Sequence, residues 1–176
     1  MLQNFEFAIL DGLQSIHCEF LNAVMIFFTT LGEWGALWIA IGIALLFPKK
    51  YRRTGVTILL GLVLGLILVN FGIKNIVARP RPFAIRPIEL LVSIPSEFSF
   101  PSGHTVSSFG AATTVFLRNK KFGAVALAAA TLIAFSRLYL YVHFPSDILA
   151  GIVIGVAISL ISNFIMKKPK WQWLGS

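Results

Sequence analysis

The side chains best suited to binding and transferring a phosphate fall in three short stretches: Lys74 with Arg79 and Arg81, His104 behind Ser102 and Gly103, and Arg137 with His143 and Asp147. An arginine fork takes phosphate oxygens two at a time, and a lysine adds a point charge. Free backbone N–H groups at a helix start add neutral donors. A histidine with a carboxylate four residues on, as His143 has in Asp147, is an imidazole that can be held in one tautomer to act as nucleophile or base. With a second histidine, His104, the labour can be divided, one ring attacking phosphorus and the other protonating the leaving oxygen. No metal or other cofactor is implied, because the seven carboxylates are scattered and only Asp147 joins the cluster. The three histidines, His17, His104 and His143, lie too far apart for zinc-ligand spacing.

Each stretch alone has a plainer explanation. Cations at a membrane boundary snorkel. Pro101-Ser102-Gly103 is an ordinary turn and cap. A carboxylate near a helix start is favoured by the helix dipole, and His143 alone suits an interfacial ring. The elements that carry these residues therefore decide whether they meet.

The chain has 176 residues, 57% hydrophobic and 12% charged, with a net charge of +8. A soluble domain is roughly a quarter charged, so a membrane protein is expected, with its Lys and Arg at the boundaries rather than on nucleic acid. The length suits one domain, 1–176, and the single cysteine, Cys18, excludes an internal disulfide.

Apolar stretches occupy 20–47, 54–78, 106–117 with a less apolar lead-in from Ser102, 122–142 and 148–166. A span needs about 20 apolar residues. The first stretch is longer than that and carries Gly32-Glu33-Trp34-Gly35 near its middle, so it is expected to be two short helices turning there. The fold class is then all-α, a bundle of six transmembrane helices. Residues 2–17 alternate Phe5, Ile9, Leu13 and Ile16 with Gln3, Glu6, Asp11 and Gln14. That spacing predicts an N-terminal amphipathic helix on the membrane interface, and with no positive region ahead of it, not a cleaved signal peptide. The final Leu174-Gly175-Ser176 reads as an appended tail.

Of the 15 cations, Lys49, Lys50, Arg52, Arg53, Arg118, Lys120, Lys121, Lys167, Lys168 and Lys170 follow spans on one face. The positive-inside rule makes that face cytoplasmic. Lys74, Arg79, Arg81, Arg86 and Arg137 are expected on the opposite face, where the rule disfavours them. There the ends of the 54–78 and 122–142 spans and the starts of the 106–117 and 148–166 spans gather Lys74, Arg79, Arg81 and Arg137 with His104, His143 and Asp147. Arg79-Pro80-Arg81-Pro82 should end its helix near Ala78.

With these positions in order, the sequence resembles the type-2 phosphatidic acid phosphatase, or lipid phosphate phosphatase, superfamily. The signature appears as Lys74…Arg81-Pro82, Pro101-Ser102-Gly103-His104 and Ser136-Arg137…His143…Asp147, with no residue missing. The resemblance implies that His143 attacks phosphorus to give a phosphohistidine while Asp147 orients its ring. It implies that His104 protonates the leaving oxygen and then activates water, and that Lys74, Arg81, Ser102, Gly103 and Arg137 hold the phosphoryl oxygens. Arg79 and Arg86 lie outside the signature and are expected as extra cations that favour a pyrophosphate. Tyr141 departs from the pattern, since the family often has Gly two residues before the nucleophile, which puts the local backbone shape in question.

The expected function is hydrolysis of a membrane lipid phosphate on the outer face of a bacterial cell membrane, with undecaprenyl pyrophosphate as the favoured substrate and undecaprenyl phosphate as product. Phosphatidylglycerophosphate, phosphatidic acid and the 1-phosphate of lipid A are the alternatives. A non-enzymatic protein that binds anionic lipid explains the arginines but gives no reason for His104, His143 and Asp147 at their spacings. A vanadium haloperoxidase shares the signature, but the apolar spans argue against it. The stretch 83–98, which mixes apolar residues with Arg86, Glu89 and Glu97, reads either as a lid on the outer leaflet or as a plain connection.

Overall fold

The computed structural model describes residues 2–167. Lys168, Lys170 and the expected tail at 174–176 lie outside the described residues. All regular structure among the described residues is helical: α1 (Leu2–Gln14), α2 (Glu19–Gly32), α3 (Ala36–Ala44), α4 (Arg52–Gly65), α5 (Lys74–Val77), α6 (Pro82–Ile85), α7 (Gly103–Arg118), α8 (Lys120–Tyr139) and α9 (Pro145–Met166). A π-helical stretch, Leu66–Ile73, joins α4 to α5 as one rod. Four stretches, Glu19–Ala44, Lys49–Ile85, Lys120–Tyr139 and Pro145–Met166, are long and apolar enough to cross a membrane. Large apolar side chains such as Phe27, Leu68, Phe122, Val153 and Phe164 stay exposed around the perimeter, as a lipid-facing surface requires.

At the centre stands α7, packed by α4, α8 and α9. Its buried residues are small, among them Ser108, Gly110, Ala111, Ala112 and Thr114, and Trp38 Nε1 donates to Ser108 Oγ at 2.9 Å. A helix covered by other helices needs small side chains for close approach more than it needs bulk. That is why 106–117 is the least apolar of the expected spans.

One end of the bundle collects the C-termini of α5 and α8 and the N-termini of α7 and α9. There the Ser102 N–H donates to the Asp147 carbonyl at 3.2 Å, and Arg81 Nη1 donates to the Val142 carbonyl at 2.8 Å. At the far end, the Arg53 guanidinium reaches the Met166 carbonyl at the close of α9, near Arg118 in the last turn of α7. The cations thus separate as their order along the chain requires.

Two expectations change. The break at Gly32–Gly35 is real: Trp34 and Gly35 take left-handed backbone (φ 54° and 70°). It does not return the chain to the end it came from. The stretch begins at the site end, where the Tyr139 hydroxyl donates to Asn22 at 2.7 Å, and it leaves at the far end, where Arg52 Nε donates to the Leu46 carbonyl at 3.1 Å. It traverses the bundle once, with α2 packed on α8 and α3 on α4. The second change concerns α1, which turns Phe5 and Ile16 outward and buries Glu6, Phe7 and Leu10. Phe7 and Leu10 pack with Tyr141 and Phe144 of the α8–α9 connection, so α1 lies over the site end.

The register between α7 and α9 fixes the site, and glycine sets how closely they pack. A methyl group on Gly155 would lie 2.6 Å from the Val106 carbonyl oxygen and 3.0 Å from the Gly110 nitrogen. Gly155→Ala is therefore expected to destabilise the protein by roughly 1–3 kcal/mol, measured as a lowered unfolding midpoint in detergent. An unchanged midpoint would mean the two helices are not in tight contact there.

Candidate active site

Lys74 opens α5 directly after the π-helical stretch, and that irregular turn aims Asn70 and Lys74 at the same place: both hydrogen-bond the Glu97 carboxylate, Asn70 at 3.1 Å. The rod ends at Ala78, in left-handed conformation (φ 47°), and Pro80 and Pro82 hold the next residues extended. Arg81 is delivered in this way, 6% exposed. Its Nε donates to the Glu97 carbonyl at 2.7 Å, and its Nη1 points to His143 Nε2 at 3.2 Å.

Ser102 is the N-cap of α7 and accepts from the Thr105 N–H at 3.4 Å. Gly103 follows, and a Cβ there would stand 3.9 Å from Lys74 Nζ, so the lysine ammonium lies beside the helix start. His104 lies in the first turn against Gly32, where a methyl group would come within 2.8 Å of the His104 ring. Arg137, His143 and Lys74 are its charged or titratable neighbours.

Arg137, in the last turn of α8, is 6% exposed. Its Nη1 donates to the Thr29 hydroxyl, and its buried Nε has no partner. Among the described residues no carboxylate lies within salt-bridge distance of Arg81 or Arg137. Burying a cation with no carboxylate bonded to it is expensive; Glu97 and Asp147 act on Arg81, and Glu33 on Arg137, only from beyond that distance. Two such guanidiniums beside a buried lysine have the chemistry to take a phosphate or another tetrahedral oxyanion.

His143 and Asp147 occupy the turn before α9 and its first turn. Asp147 Oδ2 accepts from the Phe144 N–H at 2.8 Å and from Ser99 Oγ at 2.5 Å, and it lies 3.5 Å from His143 Nδ1. The carboxylate therefore caps the helix and faces the imidazole at once. Arginine only donates, so the contact from Arg81 makes Nε2 the acceptor and places the ring proton on Nδ1, toward Asp147. Burial, with Arg81 and Arg137 nearby, pushes the His143 pKa down from 6.5 to about 3 against the pull of Asp147. The resting imidazole is neutral, with its Nε2 lone pair directed at the Arg81 guanidinium.

Lys74, Arg81, Ser102, Gly103, His104, Arg137, His143 and Asp147 thus converge at one end. Arg79 and Arg86 are bound to carboxylates: Arg79 at the edge of the site by Glu6 and Asp147, both at 2.6 Å, and Arg86 by Asp11 at 3.0 Å. Ser99, Asn70 and Glu97 join the site without a sequence signal of their own. Tyr141 adopts φ 59°, the conformation that glycine takes without strain. Its ring is buried, and its hydroxyl donates to Asp11 at 2.8 Å, so packing holds the strained backbone in place.

The connection from 86 to 99 is neither free nor fully a lid. Leu90 packs against the cores around Tyr141 and Tyr139 and Val92 against the latter, while Glu97 brings its carboxylate onto Lys74 and stays 44% exposed. It stands where an anion would. Glu97→Gln is expected to tighten binding of orthovanadate, a phosphate mimic, by roughly three- to tenfold, read as a lower inhibition constant. Unchanged inhibition would place Glu97 outside the anion's path.

The profile of the PAP2 superfamily matches residues 54–171. An undecaprenyl-diphosphatase of Sulfolobus acidocaldarius is 34% identical over 144 residues, covering 81% of this chain and 69% of that protein. The undecaprenyl-diphosphatase BcrC of Bacillus subtilis is 29% identical over 163 residues, covering 90% and 81%. The crystal structure of a transmembrane PAP2-type phosphatidylglycerolphosphate phosphatase from Bacillus subtilis superposes with a TM-score of 0.80 at 28% identity, covering 96% of this chain and 87% of that one. With the signature side chains assembled at one end of a helical membrane bundle, the chain belongs to the PAP2 superfamily of phosphatases.

Proposed function

We propose that this phosphatase removes the terminal phosphate of undecaprenyl pyrophosphate through a phosphohistidine on His143. The observation that carries the chemistry is the buried Arg137, its Nε unpartnered, beside an imidazole whose Nε2 is free of its proton. The substrate assignment draws on the two relatives named undecaprenyl-diphosphatase. The surplus cations no longer support it, since Arg79 and Arg86 are bound to carboxylates.

In this reading Lys74, Arg81, Arg137, the Ser102 hydroxyl and the Gly103 N–H hold the phosphoryl oxygens. His143 Nε2 attacks phosphorus, an N–P bond forms, and the P–O bond to the lipid phosphate breaks. His104 gives that oxygen its proton. Asp147 keeps the Nδ1 proton in place while positive charge develops on the ring. His104 then takes a proton from water, whose oxygen displaces His143 and releases inorganic phosphate. No step calls on a metal.

The far-end cations make that end cytoplasmic, so the site opens on the outer face of the cell membrane and receives a headgroup while the lipid tail stays in the bilayer. The single traverse of α2–α3 gives five crossings rather than six, with α1 lying on the outer interface. The whole chain, 1–176, acts as one phosphatase domain. The structural likeness to a phosphatidylglycerolphosphate phosphatase favours phosphatidylglycerophosphate as the second substrate reading.

Phosphate release from undecaprenyl pyrophosphate in detergent is expected to exceed that from phosphatidylglycerophosphate, phosphatidic acid and lipid A 1-phosphate. His143→Ala should lower it roughly 10³-fold or more. A preference for a monophosphate would overturn the substrate assignment, and full activity in His143→Ala would overturn the mechanism. A depressed pKa keeps a base unprotonated to lower pH. The acid limb of kcat/KM is therefore expected well below 6.5, the ordinary value from which His143 is shifted, and a midpoint at or above that value would contradict a buried neutral nucleophile.

A further inference from the structure

Glu6 belongs to α1, outside the signature, yet it is 2% exposed. An unpaired carboxylate is not tolerated at such a depth, and this one is fully engaged. Its Oε2 accepts from Arg79 Nη2 at 2.6 Å, and its Oε1 accepts from the Ser146 N–H at 3.0 Å and the Ser146 hydroxyl at 2.5 Å. The other side of Arg79 reaches the site: Nη1 donates to Asp147 Oδ1 at 2.6 Å and to Ser146 Oγ at 2.6 Å. The guanidinium lies 4.0 Å over the Phe144 ring, which packs edge-on against Phe7, the residue after Glu6, at 5.3 Å. One arginine is thus clamped between two carboxylates, and one of these faces His143.

We propose that Glu6 and Arg79 are positioning residues that set how much of the Asp147 charge reaches His143. This rests on His143 being the nucleophile. Paired with Asp147 alone, Arg79 would cancel its charge. Shared with Glu6, it leaves the trio of Glu6, Arg79 and Asp147 with a net charge of −1. That residual charge stabilises the imidazolium character that develops at His143 as Nε2 bonds to phosphorus while Nδ1 keeps its proton. The other charged or titratable groups facing His143 are Arg81 after α5, His104 on α7 and Arg137 on α8, and none of them touches Glu6. The arrangement also gives α1 a task beyond covering the site end, since its docking completes the electrostatic setting of the nucleophile.

The test is the pH profile of kcat/KM for the full chain in detergent with undecaprenyl pyrophosphate, comparing single and double variants. Glu6→Gln brings the trio to zero, so the acid limb is expected to move down by roughly half a pH unit and kcat to fall several-fold with KM unchanged. Arg79→Gln brings the trio to −2, so the limb moves up. The double variant returns toward the wild-type position, and Arg79→Lys, which keeps the charge, leaves the limb in place. Limbs that stay fixed in both single variants while rates fall would reduce the pair to a structural clamp and overturn the proposal. A rise in KM matching the loss of rate would overturn it in favour of direct phosphate binding. Imidazole ¹⁵N shifts of His143 report the same displacement without turnover and decide the question where a variant is too slow to assay. Full activity in His143→Ala is a separate outcome that removes the underlying nucleophile assignment.

Discussion

The structure depends on keeping three cations, Lys74, Arg81 and Arg137, out of water with too little negative charge to satisfy them. Each is no more than 6% exposed. Lys74 has Glu97, but Arg81 has only carbonyl groups and the His143 ring, and Arg137 only the Thr29 hydroxyl among its recorded contacts. In a low-dielectric interior such a cluster repels itself, so the surrounding helices must hold it by packing. A dianionic phosphoryl group relieves that repulsion, and a transition state with more charge on its oxygens relieves it further. Burial, with Arg81 and Arg137 nearby, keeps His143 neutral and therefore nucleophilic.

Much of the scaffold serves that constraint. The small residues of α7 and the contact at Gly110 and Gly155 bring α7 and α9 close enough for the Ser102 N–H to meet the Asp147 carbonyl. Gly32 lets the end of α2 pass against the His104 ring. The π-helical turn rotates Asn70 and Lys74 into the site. Irregular helical geometry and left-handed residues at Ala78 and Tyr141 are local strains that the packing around the site holds in place.

The site was legible in the sequence because phosphate chemistry restricts residue types and because order along an up-and-down bundle dictates which ends meet. Those two arguments gathered Lys74, Arg79, Arg81, His104, Arg137, His143 and Asp147 behind the Ser102–Gly103 helix start, and the family resemblance set Arg79 apart from the rest. What escaped depends on side-chain partners across long separations. Arg79 and Arg86 look like spare cations until Glu6 and Asp11, on α1, are seen to claim them. Glu6 looks like the polar face of an interfacial helix, because periodicity counts a carboxylate as outward whether or not an arginine awaits it. Ser99 and Asn70 are ordinary polar residues until the fold sets them beside Asp147 and Lys74. The 20–47 stretch misled for a different reason: Gly32–Gly35 announces a break, but a break in a helix does not tell whether the chain turns back or continues.

The most direct measurement is to stop the full-length protein in alkali during turnover of undecaprenyl pyrophosphate and map phosphoryl groups by peptide mass. A phosphoryl group is expected on His143, present only while substrate is being consumed and lost in Asp147→Asn in proportion to rate. Steady release of phosphate with His143 unmodified at every time point, or with the phosphoryl group on another residue, would contradict it.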